Sequence, residues 1–269
     1  MTILSGERSP HGTGSGVLGA CLTLAWRALL RIRHQPFQLF DVTLSPIMFT
    51  LLFTYLYGGA LAGSPRQYLQ FLLPGIFVQT LLFLTIYTSV GLNTDLTRGL
   101  FDRFRSMPIW QPAPLIGALL GDLLRYAMAA TVMVVLGLLL GFRPGGGVVG
   151  VLLAFALIAT FCMAVSWAWM PLALRLKSPE SVMAMGFTFI FPLTFVSNAF
   201  VDPATMPGWL QQVVAWNPVT HAVEAARALM HGEPVGSAVA TTLLTGAGTV
   251  AVFAPLVVLM YRKELPGRA

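Results

Sequence analysis

Charged residues are scarce in this chain. Asp, Glu, Lys and Arg together make up 10% of its 269 residues, whereas a soluble domain normally carries about 25%. Hydrophobic residues make up 56% of the sequence, which is more apolar surface than a soluble fold can bury. The composition therefore indicates an integral membrane protein and argues against a soluble domain.

The residue patterns that carry catalysis are missing as well. The sequence has no G-x-x-x-x-G-K-[ST] phosphate loop and no G-x-S-x-G nucleophile elbow. Its four histidines are dispersed, and its two cysteines, Cys21 and Cys162, indicate neither a disulfide framework nor a metal site. Scattered basic residues argue against nucleic-acid binding. We therefore predict no catalytic residue, metal or cofactor on this chain, and any energy for its work would come from a separate subunit.

Six apolar stretches are about as long as a membrane-spanning helix, which needs roughly 20 mainly apolar residues. We predict an all-α membrane protein of one domain, residues 17–261, with six transmembrane helices. Residues 1–16 are predicted to be a disordered tail and residues 262–269 a second tail. Pro171 is a candidate early end for the fourth span. The predicted spans are residues 42–60, 69–92, 115–141, 148–172, 182–200 and 238–261.

Lys and Arg are distributed unequally between the connections of these spans. The poorer side holds only Arg66, Arg143 and Arg227. The richer side is normally cytoplasmic, and an even number of spans returns the chain to it. We therefore predict a multi-pass protein of the plasma membrane with both termini in the cytoplasm. The richer side holds Arg8, Arg27, Arg31, Arg33, Arg98, Arg103, Arg105, Arg175, Lys177, Arg262, Lys263 and Arg268.

Residues 17–33 are predicted to form a helix that lies in the cytoplasmic membrane interface. Their apolar part is too short to cross a bilayer, and Leu18, Leu22 and Trp26 recur at helical spacing. A basic cluster follows, and Trp26 would anchor the helix at the interface. The alternative is a ragged start of the first span.

Residues 94–108 lie in the longest cytoplasmic connection. Asp95, Arg98, Asp102 and Arg105 follow one another at helical spacing, so that i, i+3 ion pairs can form. Apolar residues lie beside this charged face. A short helix of this kind suits docking into a groove on a cytoplasmic partner. The alternative is a solvated loop helix held by its own ion pairs.

Residues 201–237 are too apolar for a free loop. The runs WLQQVVAW and NPVTHAVEAARALM predict two short helices broken at Asn217–Pro218, with Asn217 as the cap of the second helix. Each helix is too short to span, so we predict a pair that folds back into the outer leaflet. The alternative is a small helical cap on the membrane surface. Glu224 and Arg227 are spaced to form an ion pair on the second helix.

Asp122 and Arg125 are the charges that lie well inside a predicted span. Their i, i+3 spacing places them on one face of the helix. Charges within a membrane are costly and normally face each other, water or the interior of the bundle. We interpret the two residues as a structural ion pair. The alternatives are a contribution to a substrate path and a device that fixes helix register.

Three stretches of the sequence resemble a known family. They are LPGIFVQTLLF at residues 73–83, TDLTRGLFDRFRSMPI at residues 94–109, and FVSNAFVDPATMPGWLQQVVAWNPVTHAVEAARALMHG at residues 195–232. The last, with its MP, NP and E-x-x-R elements in order, is similar to ABC-2 type transporter permeases. The run ending in R-F-R-S-M-P resembles the daunorubicin/doxorubicin-resistance group of that family.

The resemblance implies a permease that forms a homodimer in the membrane and binds two copies of a separate cytoplasmic ATP-binding subunit, which would carry the ATP and magnesium. It further implies that residues 17–33 are the interfacial connecting helix and that residues 203–232 contain re-entrant helices closing an outer gate. The coupling residues it implies are Asp95, Gly99, Asp102, Arg103, Arg105 and Pro108. The gate residues it implies are Trp209, Asn217, Pro218, Glu224 and Arg227.

The function that this resemblance implies is export of a lipophilic, drug-like or antibiotic-like compound, driven by ATP hydrolysed on the partner subunit. One alternative is the same architecture exporting a polysaccharide or a lipid. A second alternative, from another functional class, is a membrane assembly protein that transports nothing.

Overall fold

The computed structural model describes the backbone of residues 36–98 and 113–264 and the side chains of residues 43–98 and 121–260. All regular structure in these ranges is helical, as predicted for the fold class. A short 3₁₀ turn covers Pro203–Thr205. The eight α-helices of the described residues are α1 (Pro36–Ala62), α2 (Pro65–Thr97), α3 (Ala113–Leu140), α4 (Gly147–Arg175), α5 (Pro179–Phe195), α6 (Gly208–Trp216), α7 (Pro218–His231) and α8 (Ala238–Glu264).

Five of the helices are long and apolar enough to cross a membrane. Their apolar portions are Thr43–Ala62, Pro65–Thr97, Gly121–Leu140, Gly147–Arg175 and Ala238–Met260. They coincide with the first, second, third, fourth and sixth predicted spans. The sequence-based assignment of a multi-pass membrane protein is therefore supported by the helices themselves.

The predicted end of the fifth span is wrong. Helix α5 has 17 residues and ends at Phe195 instead of continuing to residue 200, so it is about 25 Å long, against a hydrocarbon core of about 30 Å. The chain leaves the helix because side chains take over its last carbonyl groups. Ser197 Oγ donates to Thr194 O at 2.6 Å, and Asn217 Nδ2 donates to Leu193 O at 2.7 Å.

Two other predicted ends also differ from the structure. Helix α4 passes through Pro171 and ends at Arg175, since a membrane helix tolerates an internal proline when neighbours satisfy the freed backbone groups. Helix α8 extends to Glu264, so the first three residues of the predicted tail 262–269 are helical.

Helix α2 is the centre of the bundle. In the apolar stretch of α2, 83% of the residues are buried, whereas the share is 11–39% in the other four candidate spans. It packs against α1, α3, α4, α5 and α7, and it begins with Pro65 after Ser64, whose Oγ accepts from Gln67 N at 3.3 Å. A helix enclosed by five others has little surface left for lipid.

Several predictions fall outside the described residues. They are the tail 1–16, the interfacial helix 17–33, residues 99–108 of the docking segment, and residues 265–269. The start of the docking segment is described: residues 94–97 form the last turn of α2, and Arg98 N donates to Thr94 O at 3.1 Å. Asp95 therefore belongs to helix α2 and not to a separate helix.

Candidate functional site

The predicted pair of short helices is present as α6 and α7. Helix α6 ends at Trp216 and α7 begins at Pro218. Between them, Asn217 Oδ1 accepts a hydrogen bond from Val219 N at 2.9 Å. Asn217 is thus the N-cap of α7, and Pro218 is its first residue, as the sequence predicted. The break and the cap are both confirmed.

Asn217 also does something that the sequence does not indicate. Its Nδ2 donates to Leu193 O at 2.7 Å and to Val196 O at 2.5 Å, which are carbonyl groups at the end of α5. One buried amide therefore satisfies the start of α7 and the end of α5 together. Because helix ends leave backbone groups unpaired, this side chain fixes the relative positions of the two helices.

Arg227 binds backbone carbonyl groups instead of the predicted partner. Its Nη2 donates to Phe71 O and to Asn198 O, each at 3.1 Å, and its Cζ lies 3.9 Å from the centroid of the Phe71 ring. Glu224 Oε1 accepts from Asn198 Nδ2 at 3.1 Å. Asn198 thus stands between Glu224 and Arg227, and the predicted direct ion pair between them is replaced by this bridge.

Burial lowers the pKa of Arg227 to about 10, because desolvation disfavours the charged form. The carboxylates of Glu224, Asp202 and Glu233 act in the opposite direction. The guanidinium therefore remains charged at neutral pH. At the surface of the same helix, His221 Nδ1 lies 3.7 Å from Glu224 Oε2.

Helix α7 is packed into the bundle along most of its length. It contacts α2, α4 and α8, and its C-terminal turn meets a glycine-rich backbone. Gly146 N donates to Met230 O at 2.9 Å, and a Cβ built on Gly150 would lie 2.2 Å from Leu229 O. Only glycine permits the start of α4 to approach α7 this closely.

Helix α6 differs from α7 in exposure. Trp209 is 70% exposed and Trp216 is 89% exposed, with Val213 exposed between them. These residues follow an i, i+4, i+7 pattern, so they form one apolar face of α6. Tryptophans are enriched where a protein meets the membrane–water interface.

The non-helical segment 196–200 is buried against α2. Ala199 is 0% exposed, and a Cβ on Gly75 would lie 2.2 Å from Ala199 O. Tyr68 Oη donates to Phe200 O at 2.8 Å. Gly75 comes ten residues after Pro65, the first residue of α2, which corresponds to about 15 Å along the helix axis. The irregular segment 196–200 therefore packs against α2 well inside the N-terminal end of that helix, and protein encloses it.

Asp122 and Arg125 form the ion pair that their spacing predicted. Arg125 Nη1 lies 2.8 Å from Asp122 Oδ1, and both side chains are largely buried. Thr88 Oγ1 on α2 donates to the second carboxylate oxygen, Asp122 Oδ2, at 2.5 Å. The guanidinium also lies near the Tyr87 ring, 5.7 Å from its centroid. The pair therefore joins α3 to α2.

The C-terminal end of α2 is tied to α4. Asn93 Nδ2 donates to Ala173 O and to Leu176 O, each at 2.7 Å. Asn93 is 2% exposed and lies one turn before the end of the helix. The amide therefore satisfies the C-terminal carbonyls of α4 one residue before the start of the predicted docking segment, residues 94–108.

Sequence reasoning missed Asn93, Asn198, Phe71 and Thr88. The two asparagines carry a weak signal, since each is a polar residue at the edge of an apolar stretch. Phe71 and Thr88 carry none. Asp102, Arg103, Arg105 and the other coupling residues after Arg98 lie outside the described ranges. Among residues 36–98 and 113–264, no group of three His, Cys, Asp or Glu residues could hold a metal ion.

Comparison with known proteins identifies relatives of this chain. The family model described as "ABC-2 type transporter" matches residues 19–231. The chain is 48% identical to the daunorubicin resistance ABC transporter permease protein DrrB1 of Streptomyces coeruleorubidus over 264 residues, which is 98% of this chain and 92% of that protein.

More distant relatives carry related descriptions. The probable doxorubicin resistance ABC transporter permease protein DrrC of Mycobacterium tuberculosis is 25% identical over 88% of this chain and 86% of its own length. The putative transport permease ycf38 of Cyanophora paradoxa is 25% identical over 85% of this chain and 80% of its own length. The match to the family model and the near-complete alignment with DrrB1 show that this chain is a member of the ABC-2 type transporter family.

Proposed function

We propose that this protein is the membrane subunit of an ATP-driven exporter that moves a lipophilic, drug-like compound out of the cell. The observation that carries the proposal is the 48% identity, over 98% of the chain, to a permease named for daunorubicin resistance. The protein would act as a homodimer with two copies of a separate ATP-binding subunit. ATP and magnesium would bind that subunit, and this chain would carry no cofactor and no catalytic residue.

In the proposed topology the chain crosses the plasma membrane six times and has both termini in the cytoplasm. Helix α5 would make the fifth crossing. Its 17 residues are at the lower limit for a spanning helix, and the segment 196–200 would complete the crossing inside the protein. Non-helical backbone is tolerated at membrane depth when protein surrounds it. The excess of Lys and Arg on one side supports the orientation.

Helices α6 and α7 would form a re-entrant hairpin that closes an outer gate. The burial of α7 among α2, α4 and α8 favours re-entry over a surface cap. The exposed Trp209 and Trp216 would lie at the outer interface of the bilayer. To open the gate, Asn217, Glu224 and Arg227 would have to break their present hydrogen bonds or move together with the groups that they bind.

The segment 94–108 would transmit movement from the ATP-binding subunit by rigid rocking of the two permease copies. Asn93 supports this proposal, because it ties the base of the segment to the end of α4. Replacing Gly99 or Arg105 should abolish export while the protein remains inserted. Unchanged export in both variants would contradict the coupling role.

The proposed function is tested by reconstitution. The protein is purified with its ATP-binding subunit and placed in lipid vesicles, and ATP-dependent daunorubicin transport is followed by fluorescence. A labelled phospholipid and a labelled polysaccharide serve as parallel cargoes. We expect ATP-dependent transport of daunorubicin, which a variant of the partner that cannot hydrolyse ATP should not support.

Three results would contradict the proposal. Transport of the phospholipid or the polysaccharide without daunorubicin would assign a different cargo to the same architecture. Failure to co-purify with any ATP-binding subunit would favour an assembly protein. Transport that continues without ATP would exclude an ATP-driven exporter.

A further inference from the structure

A cavity of about 210 Å³ lies between α1, α2 and α5. Pro46 and Phe49 of α1 line one wall, and Phe187 and Phe191 of α5 line another. Helix α2 contributes Gln79 and Phe83. A site for a single water needs only roughly 10–15 Å³, so the space is large for a packing defect. None of its described lining residues carries a charge.

Gln79 is the feature of this cavity that packing does not explain. It is the fifteenth of the 33 residues of α2, close to the middle of the span, and its side chain is 3% exposed. Neither Oε1 nor Nε2 has a hydrogen-bond partner among the described residues. A buried polar atom without a partner costs about 1–3 kcal/mol, and such atoms are rare in folded proteins.

Gln70 on the same helix shows how an amide in this bundle is normally satisfied. Its Nε2 donates to Gly141 O at 3.0 Å, and its Oε1 accepts from Arg143 N at 3.0 Å. The two glutamines thus differ in partners although they share a helix. Gln70 holds the α3–α4 turn, whereas Gln79 holds nothing within the described residues.

Aromatic rings extend from this cavity toward the segment 196–200. Phe83 lies edge-on to Phe187 with centroids 5.5 Å apart, and it stacks with Phe191 at 6.3 Å. Phe191 stacks with Phe195 at 4.2 Å, and Phe195 stacks with Phe200 at 4.8 Å. We call these five residues the aromatic row. Stacked faces of this kind accept a further planar ring.

We propose that the cavity holds part of the exporter's cargo, and that this cargo is a planar aromatic amphiphile with a neutral hydrogen-bonding group next to its rings. The rings would stack on Phe83 and Phe191, and a hydroxyl or carbonyl group would bind the Gln79 amide. This inference rests on the proposed function and names its substrate class. A hydrocarbon chain would leave the amide unpaired, and a glycan would present more hydroxyl groups than the polar lining residues Ser45, Gln79 and Thr80 could bind.

The size of the cavity limits what enters it. Sites for whole drug-sized ligands have volumes of about 300–1,000 Å³, so this cavity accommodates a ring system with one polar edge. The remainder of the molecule lies outside it. Any charged group on the cargo therefore stays out of the cavity, because the described walls offer no counter-ion.

The test measures daunorubicin binding and thermal stability of the full-length protein in lipid nanodiscs. Daunorubicin is the probe because it is planar, aromatic and fluorescent, and a fluorescent phospholipid serves as the second probe. The variants are Gln79→Leu, Phe83→Leu and the matched control Gln70→Leu. The apparent molecular mass of each variant in the nanodisc reports its oligomeric state.

We expect Gln79→Leu to weaken daunorubicin binding about tenfold, while the melting temperature is unchanged or higher, because an unpaired amide is removed. Phe83→Leu should also weaken daunorubicin binding. Gln70→Leu should lower the melting temperature and leave the affinity unchanged. Binding of the phospholipid should not depend on Gln79.

Three outcomes would overturn the inference. Unchanged daunorubicin affinity in Gln79→Leu would mean that the amide holds only water. Loss of the dimer in the same variant would mean that a second copy of the chain satisfies Gln79. Phospholipid binding that depends on Gln79 would assign the cavity to lipid. Failure of the proposed function is separate, since wild-type protein would then neither bind nor transport daunorubicin.

Discussion

Arg227 and Phe71 contact each other twice. The guanidinium lies over the Phe71 ring, with Cζ 3.9 Å from the centroid, and its Nη2 donates to the carbonyl oxygen of the same residue at 3.1 Å. These residues are 156 positions apart in the sequence. The contact holds α7 against the central helix α2. The same guanidinium also binds Asn198 O, in the segment 196–200.

Arg227→Lys should lower the free energy of unfolding although it keeps the charge. A lysine cannot bind two carbonyl groups and lie flat on a ring at once, and the loss should be about 2 kcal/mol. The measurement is thermal unfolding in detergent, together with labelling of a cysteine introduced in α6. The exposed Arg66→Lys is the control and should change neither readout. Equal stability of both variants would remove Arg227 as an anchor of α7.

Substitution of Asn217 should separate its two roles. Asn217→Ala loses the cap of α7 and both bonds to the end of α5, and we expect a loss of about 2–3 kcal/mol in the free energy of unfolding. Asn217→Ser keeps a capping oxygen but cannot reach Leu193 O and Val196 O together. The serine variant should therefore be intermediate in chemical unfolding. A serine variant as unstable as the alanine variant would show that the cap contributes little.

Gly150→Ala should destabilise the protein although alanine favours helices. The added Cβ would meet Leu229 O at 2.2 Å, and overpacking typically costs about 1–3 kcal/mol. Gly248→Ala on α8 is the matched control, since a Cβ there meets nothing within 4 Å. The control should be neutral or up to about 1 kcal/mol more stable. The two melting temperatures decide the matter, and equal values would mean that α4 and α7 can move apart freely.

The Asp122–Arg125 pair should behave as a structural unit. Removing one partner of a buried pair costs about 3–5 kcal/mol, because the other charge is left uncompensated. Asp122→Asn and Arg125→Gln should each lower the melting temperature, and the double variant should be less destabilised than the sum of the two. We expect the double variant to export daunorubicin. A folded double variant without export would instead place the pair in the substrate path.

Local rules account for the parts of this structure that the sequence predicted. The cap at Asn217 and the Asp122–Arg125 pair each involve residues within three positions of one another. Spacing and residue type suffice for them. The apolar lengths of five spans likewise depend on composition alone.

The errors involve partners that are distant in sequence. The prediction of a direct Glu224–Arg227 pair was wrong, because Arg227 binds carbonyl groups of Phe71 and Asn198 that helical spacing cannot reveal. The predicted end of the fifth span was wrong, because Asn217, more than twenty residues later, binds carbonyl groups at the end of α5. Gln79 gave no signal, since an unpaired amide is recognised only when its surroundings are known.

The length of helix α2 has a geometric consequence. The helix is continuous from Phe71, beside the Arg227 guanidinium, to Asn93, which holds the end of α4. The two residues are 22 positions apart, which corresponds to about 33 Å along the axis. A rod of that length that pivots by about 10° at one end moves its other end by roughly 6 Å, which is about one helical turn. If the predicted coupling role of residues 94–108 holds, α2 would act as a lever that converts a small change of angle beside Asn93 into about one helical turn of displacement beside α7.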